Sequence, residues 1–419
     1  MTRREPVGVS RWTEADAERY LLGLELFGMR FGLDRMRRLL VTLGEPHSRW
    51  EAVHVVGTNG KSSTVRMIAA ILERHGRRTG AYLSPHLVSF AERVRVDEQD
   101  VAPDVFAEAV RRAAGAAEKV NRTLQPDDHV TQFEALTAAA FHELARAEVD
   151  VGVVEAGLGG RWDATNVLAS KVAVLTNVGL EHTRWLGPTV RDIAREKLAV
   201  VRPGSTLVVG AGLHPDALDE ARRVDARLVE APAVAPGVEL LARGGFQRLN
   251  FAVARAAAEA LIGPLDQAKV AAAAAATRVP GRFEQVDVDP PTYYDGAHNP
   301  GGMAALAEAL RDEIAGRPLT LVLSILDDKD AGEMLRRLVP PAARVVATSN
   351  ANPRALSPAT LESLAAQVGA RDTLVVPDPR RALARAREAA GAEGGVVLVT
   401  GSIYLIADLL RGGGGGSTL

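Results

Sequence analysis

The chain has no cysteine, which excludes disulfides, thiolate zinc sites and a cysteine nucleophile, and which suits a reducing compartment. It also lacks an excess of either charge: 50 Lys and Arg stand against 52 Asp and Glu, a formal net charge of −2. That balance offers no global field to nucleic acid or to an anionic membrane, so neither is expected as a partner, and small-molecule chemistry is favoured. No apolar run reaches the roughly eighteen residues a membrane span needs, and Met1 to Arg11 is charged rather than a signal peptide. A cytoplasmic protein is expected. At 419 residues the chain exceeds the size at which one core stops growing, which predicts two domains.

The densest stretch is VHVVGTNGKSSTVRMIAAILERHG, Val53 to Gly76. Val53, His54, Val55 and Val56 read as a buried strand entering the turn Gly57-Thr58-Asn59-Gly60-Lys61-Ser62-Ser63. Val65, Ile68, Ala69 and Leu72 then recur on one helical face, and Gly76 stands where a helix stops. A strand, glycine loop and helix in that order aim backbone N–H groups and a helix N-terminus at one spot, with Lys61 as a point charge and a hydroxyl for a magnesium ion. Polyphosphate is the natural ligand; the alternative is a glycine turn that merely joins strand to helix. Val55 occupies the place of the early glycine of the strict phosphate-loop pattern, so this is the shortened form GxxGK[ST].

Along the rest of the chain, Trp12 to Leu43 reads as two amphipathic helices around Phe27 to Leu33, a lid or entry segment. A strand at Thr79 to Leu83 leads into Ser84-Pro85-His86-Leu87, where the proline forces an extended turn and Ser84 either points its hydroxyl at the neighbouring loop or simply ends the strand. Helices follow at Ala102 to Val120 and Thr131 to Ala147. The strand Val149 to Glu155 ends on an acid and passes into a glycine-rich loop through Asn166. Glu155 at such a strand end is a metal-coordinating or water-orienting carboxylate, or else a solvated one. His182 lies just past the strand Lys171 to Thr176, and the helix Thr189 to Val200 carries Glu196-Lys197, a pair that normally faces solvent. A strand at Thr206 to Gly210, another near Arg227 to Glu230 and an alanine-rich helical region from Phe246 to Thr277 complete this part.

Pro280-Gly281-Arg282 is the best break in the chain. Beyond it, strands near Phe283 to Val288, Leu319 to Ser324, Arg344 to Thr348, Thr373 to Val376 and Val396 to Thr400 alternate with helices. The expected fold is α/β with mostly parallel sheets: a domain over 1–279, a smaller one over 280–411, and a flexible glycine-rich tail over 412–419.

Taken together, the Phe-Gly-Leu-Asp-Arg lead, GTNGKSS, SPHL, EAGLGGRWDATN, GLEHTRWLG, REK at Arg195 to Lys197, FQRLN, PGRFE, DGAHNP at Asp295 to Pro300 and GSIY at Gly401 to Tyr404 resemble the folylpolyglutamate synthase and dihydrofolate synthase family of the Mur ligase superfamily. The resemblance implies an N-terminal phosphate-loop ATP-binding domain and a Rossmann-like C-terminal domain, with ATP and magnesium in the cleft between them. It implies that Gly57, Thr58, Asn59, Gly60, Lys61, Ser62 and Ser63 cradle phosphates. Ser84, Glu155 and His182 serve magnesium with Ser62 or Ser63, and Asn250, Arg282, Asp295 and His298 contact ATP. His298 and Ser402 lie near catalysis or the incoming glutamate, and Phe133 and Asp163 line a pterin site. Lys197 becomes a carbamylated metal ligand, and a potassium ion joins the cofactors. The chain departs from the family at Ser62 (commonly glycine), Leu83 (threonine), Glu181 (aspartate), Leu198 (alanine) and Phe246 (histidine).

The implied activity is addition of L-glutamate to a folate-type carboxylate, dihydropteroate or a reduced folate, through an acyl phosphate, by a monomer. Another Mur-type amino-acid ligase and a phosphate-loop ATPase switch are the competing readings.

Overall fold

The computed structural model describes residues 11–25, 32–235 and 237–411. Of the expected lid or entry segment, the two helices are Glu14–Leu22 and Asp34–Thr42, while its centre at Phe27 to Leu33 falls almost wholly outside the described residues, as does the tail at 412–419.

Two sheets organise the molecule. The first holds β1 (Glu51–Val56), β2 (Thr79–Tyr82), β3 (Val94–Val96), β4 (Gln99–Asp100), β5 (Val151–Glu155), β6 (Val172–Leu175), β7 (Ser205–Val209) and β8 (Ala226–Glu230), in the order β4-β3-β2-β5-β1-β6-β7-β8. All neighbours are parallel except the pairs β2 with β3 and β3 with β4. β1 is central and five of its six residues are buried, as its nearly continuous apolar run requires. The helix Lys61–Arg74 covers one face with Val65, Ile68, Ala69 and Leu72, and packs against the helix Gly245–Ile262. Each of the larger of these side chains contributes about 1.5–3 kcal/mol on burial. Helices Pro103–Asn121 and Gln132–Arg146 cover the other face.

The second sheet holds β9 (Arg282–Val288), β10 (Pro291–Asp295), β11 (Leu319–Leu323), β12 (Arg344–Ala347), β13 (Thr373–Val375) and β14 (Val396–Thr400), in the order β13-β12-β11-β14-β10-β9. Only β9 and β10 pair antiparallel. The sequence reading lacks β10; Pro291 is tolerated as its first residue, where its missing N–H breaks no interior ladder bond. The β3–β4 hairpin is likewise unanticipated, and the alanine-rich region is two helices, Gly245–Ile262 and Gln267–Ala276, parted at Gly263. Among the described residues no helix is long and apolar enough to cross a membrane.

Parallel sheets gather their loops at the carboxyl ends of the strands. In the first sheet these are the loops after β1, β5 and β6; in the second, those after β10, β11, β12 and β14.

Candidate active site

The loop after β1 is shaped by two glycines. Gly57 has φ +152° and a Cβ there would lie 1.9 Å from Thr176 Oγ1; Gly60 has φ +83° and a Cβ would lie 2.3 Å from Asn250 Oδ1. Only glycine allows this backbone so close to its neighbours. The loop after β6 then ties it down: Asn177 Oδ1 accepts from Asn59 N–H (2.9 Å), the Thr176 hydroxyl donates to the Asn59 carbonyl (2.7 Å), and Thr58 exchanges bonds with Gly179. Lys61 begins the helix and turns its Nζ back to the Thr58 carbonyl at 3.3 Å.

Glu155, at the end of β5, is 1% exposed, so it is not a solvated strand-end acid. The Ser62 hydroxyl donates to its Oε1 (3.0 Å) and the Ser84 backbone N–H to its Oε2 (3.1 Å). Ser84 thus reaches the acid through its amide, while its hydroxyl accepts from Arg93, a buried guanidinium that also donates to His86 Nδ1 at 2.9 Å. Burial pushes the Glu155 carboxyl up, opposed by Lys61 and by those two donors.

Lys197 is 5% exposed, which overturns the solvent-facing expectation for Glu196-Lys197. Its Nζ donates to the Gly57 carbonyl at 2.8 Å. Burial first, and then the charge of Lys61, bring its amine from 10.5 down to about 7. The loop holding Gly160 packs on the same helix, where a Cβ on Gly160 would lie 2.6 Å from the Lys197 carbonyl.

The second sheet supplies the opposite wall. His298 Nε2 stands 3.2 Å from Glu181 Oε1, and its Nδ1 stands 2.8 Å from the Gly296 carbonyl. Both ring nitrogens therefore face oxygen atoms, one from each wall. Burial alone would raise the Glu181 carboxyl, but the His298 contact and the Lys61 charge outweigh it and hold the acid well below the usual range. His182, at φ +51°, has Nε2 3.8 Å from Glu181 Oε1; burial lowers its pKa, and the charge of Lys329 from the second sheet lowers it further. Asp295 ends β10, is buried, and is raised by burial against the pull of Arg282, whose guanidinium lies against Gly296. Asn250 lies over Gly60 and donates to Gln247 (3.0 Å).

The Mur ligase middle domain matches residues 55–211, and the Mur ligase glutamate ligase domain matches residues 281–403. The chain is 35% identical over 382 residues to a dihydrofolate synthase/folylpolyglutamate synthase of Mycobacterium tuberculosis, covering 81% of this chain and 78% of that one. The structure of a Mycobacterium tuberculosis folylpolyglutamate synthase complexed with ADP superposes with a TM-score of 0.87 at 33% identity, over 95% of this chain and 97% of that one. A bifunctional folylpolyglutamate synthase/dihydrofolate synthase with Mn, AMPPNP and L-glutamate bound gives a TM-score of 0.82 at 28% identity, over 95% and 97% of the two chains.

The chain belongs to the dihydrofolate synthase/folylpolyglutamate synthase family.

For this family member, the structure brings Gly57 to Ser63, Ser84, Glu155, His182, Lys197, Asn250 and His298 around one cleft, with Asp295 and Arg282 at its second wall. Three expected residues stand apart from the phosphate loop. The Ser402 hydroxyl caps the helix Ile403–Leu410, accepting from Tyr404 N–H at 3.2 Å. Phe133 packs beneath Gly157, and Asp163 accepts from Leu158 N–H (2.8 Å), Thr165 N–H (3.0 Å) and the Thr165 hydroxyl, which His54 Nε2 meets at 2.8 Å. Sequence reasoning passed over Asn177, Arg93, Lys329 and Asn299. Only Asn299 carried a local signal: an Asn before Pro300 is the N-cap signature, and its Oδ1 accepts from Gly302 N–H at 2.8 Å.

Proposed function

We propose that this protein is an ATP-dependent ligase that joins the amine of L-glutamate to the carboxylate of a folate-type acceptor, dihydropteroate or a reduced folate. Family membership supports the reaction, and the observation that carries it to these residues is the gathering of Glu155, Glu181 and Lys197 about the charge of Lys61, with His298 of the second sheet 3.2 Å from Glu181. In this reading the halves divide at residue 280 and act as a monomer in the cytoplasm.

A carboxylate oxygen is a poor leaving group. The acceptor carboxylate attacks the γ-phosphorus of ATP, the bond to the β,γ-bridging oxygen breaks, and ADP leaves; the glutamate amine then attacks the acyl phosphate carbon, loses a proton and expels phosphate. The chain's part is positioning and charge. The backbone N–H groups of Gly57 to Ser63 and the Lys61 ammonium hold the phosphates; Asn250, Arg282, Asp295 and His298 hold ATP from the second wall. Ser402 serves the incoming glutamate, and Phe133 and Asp163 the acceptor. Contact between the walls keeps water from the acyl phosphate.

The donors at the loop fit a magnesium ion: the hydroxyl oxygen of Ser62 and the carboxylate of Glu155 meet at 3.0 Å, and such hard oxygen ligands, with those of a bound phosphate, would suit it. When bound, it neutralises charge on the transferring phosphoryl group. Ser62 or Ser63, Ser84, Glu155 and His182 would hold it, with Lys197 as its carbamate, and potassium belongs to the same reading. A carbamate forms only on a neutral amine, and an amine at about 7 is substantially neutral at physiological pH.

The test is ATP, radiolabelled L-glutamate and either dihydropteroate or tetrahydrofolate, with products separated by chromatography. Incorporation into one or both is expected; incorporation into neither rejects the proposal. Phosphate release that ignores both acceptor and glutamate would instead mark an ATPase switch.

A further inference from the structure

Glu181 is the first-sheet residue on which the second wall converges. Its Oε1 meets His298 Nε2 at 3.2 Å and accepts from Asn299 Nδ2 at 3.3 Å. Asn299 does not stop there. Its Nδ2 also donates to Asn59 Oδ1 (3.0 Å), and the Asn59 Nδ2 returns a bond to Asn299 Oδ1 (3.2 Å). Asn59 lies in the phosphate loop, between the two glycines that shape it, and Asn299 opens the helix Pro300–Ile314 of the opposite wall. A carboxylate from one wall and a reciprocal amide pair thus form a chain of contacts from the loop after β6, through the loop after β10, to the phosphate loop. The carboxylate is mostly buried, its side chain 11% exposed, so these bonds are shielded from competing water.

We propose that Glu181 and Asn299 are positioning residues that latch the two walls together and, in doing so, place His298 and set the phosphate loop. Neither needs to touch a reacting atom. Glu181 is suited by its length: shortening it by one methylene withdraws the carboxylate by roughly 1.5 Å, more than a 3.2–3.3 Å hydrogen bond tolerates. Asn299 is suited by its amide, since its oxygen serves the helix cap and Asn59 while its nitrogen serves Glu181 and Asn59. The latch deepens the ligase reading and, for its kinetic part, rests on it.

Asn299→Asp separates latch from cap. It keeps an oxygen for Gly302 N–H, removes the amide donor, and puts a second carboxylate against Glu181. Glu181→Gln keeps an oxygen acceptor of nearly the same reach, and Glu181→Asp keeps the charge but not the reach. Because the chain has no cysteine, Lys119→Cys and Ala384→Cys, both exposed and one on each side of the cleft, give a clean donor–acceptor dye pair for measuring wall-to-wall distance by energy transfer.

With the whole chain, ATP analogue and magnesium, the parent shows a narrow, short inter-dye distance. Asn299→Asp and Glu181→Asp broaden and lengthen it and lower the glutamate-incorporation kcat by about tenfold to a hundredfold, the range for a misplacement of about an ångström, with KM for glutamate changed less than about threefold. Glu181→Gln retains most of both. Unchanged distances and kcat within about twofold for Asn299→Asp and Glu181→Asp, in an active parent, overturn the latch. A parent that closes on nucleotide but incorporates no glutamate overturns the ligase reading and leaves the latch standing, provided the two variants still open the walls.

Discussion

The two walls of the cleft use different chemistry at equivalent places, the carboxyl ends of parallel strands. The first sheet's edge is ionisable: Lys61, Glu155, Glu181, His182 and Lys197 gather after β1, β5 and β6 or against them. Along the second sheet, beside Asp295 and with Lys329 farther along the loop after β11, the buried groups at the ends of β11, β12 and β14 are neutral. Ser324, Thr348, Asn350, Asn352, Thr400 and Ser402 are all at most 8% exposed, with Asn350 Nδ2 donating to Ser324 Oγ at 2.9 Å. Buried charges need opposite charges or a charged ligand close by, whereas most buried hydroxyls and amides are satisfied by neutral partners. The first edge is therefore built for charged partners close by, and the second for holding a backbone in place and offering hydrogen bonds.

That contrast predicts a ranking of effects. Lys61→Ala should be the most severe, lowering kcat for glutamate incorporation by about a hundredfold to a thousandfold, as loss of a preorganised charge does, while a thermal melt stays near the parent's. Gly60→Ala comes next, because its Cβ meets Asn250 Oδ1 at 2.3 Å and φ is +83°; activity should fall by about a hundredfold and ATP affinity, read by calorimetry, should fall with it. If Lys61→Ala is milder than substitutions on the second edge, the contrast is wrong.

Lys197 sharpens the comparison through pH. Its folded amine sits at about 7 and its ordinary value is 10.5, so between those limits the unfolded chain binds more protons and stability rises with pH. In carbonate-free buffer with chelator, urea unfolding should show the parent gaining about 2 kcal/mol on Lys197→Met between pH 7 and pH 9. A flat difference would show that burial does not depress this amine.

The smallest effect belongs to the neutral edge. The Thr400 hydroxyl is buried and makes no hydrogen bond within the described residues. Thr400→Val should leave unfolding free energy unchanged or raise it by up to about 1 kcal/mol. A loss of that size would reveal a partner that the hydroxyl needs.

Much of this was legible beforehand, for reasons that particular residues show. β1 and the helix after Gly60 announce themselves because apolar period and glycine spacing are local properties, and Glu155 could be placed at a strand end by counting alone. β10 was hidden behind Pro290 and Pro291, since whether a proline starts a strand depends on the partner strand. Ser84 reads from the sequence as pointing its hydroxyl at the neighbouring loop or simply ending the strand; that its amide meets Glu155 was not legible, because the turn decides which group faces the acid. Glu181 stood out only as a departure from its family, and nothing in its neighbours tells that it spans to His298 and Asn299.

By itself, then, the sequence determined the order of strands, glycine loops and helices, the strand–loop–helix form around Gly57 to Ser63 and the family, because each rests on short spacings along the chain. Tertiary structure alone decided that Lys197 is buried against the Gly57 carbonyl with its amine near 7, and that Asn59 meets Asn299 across 240 positions. Desolvation and contact between the walls are properties of what packs around a residue, and no local pattern records them.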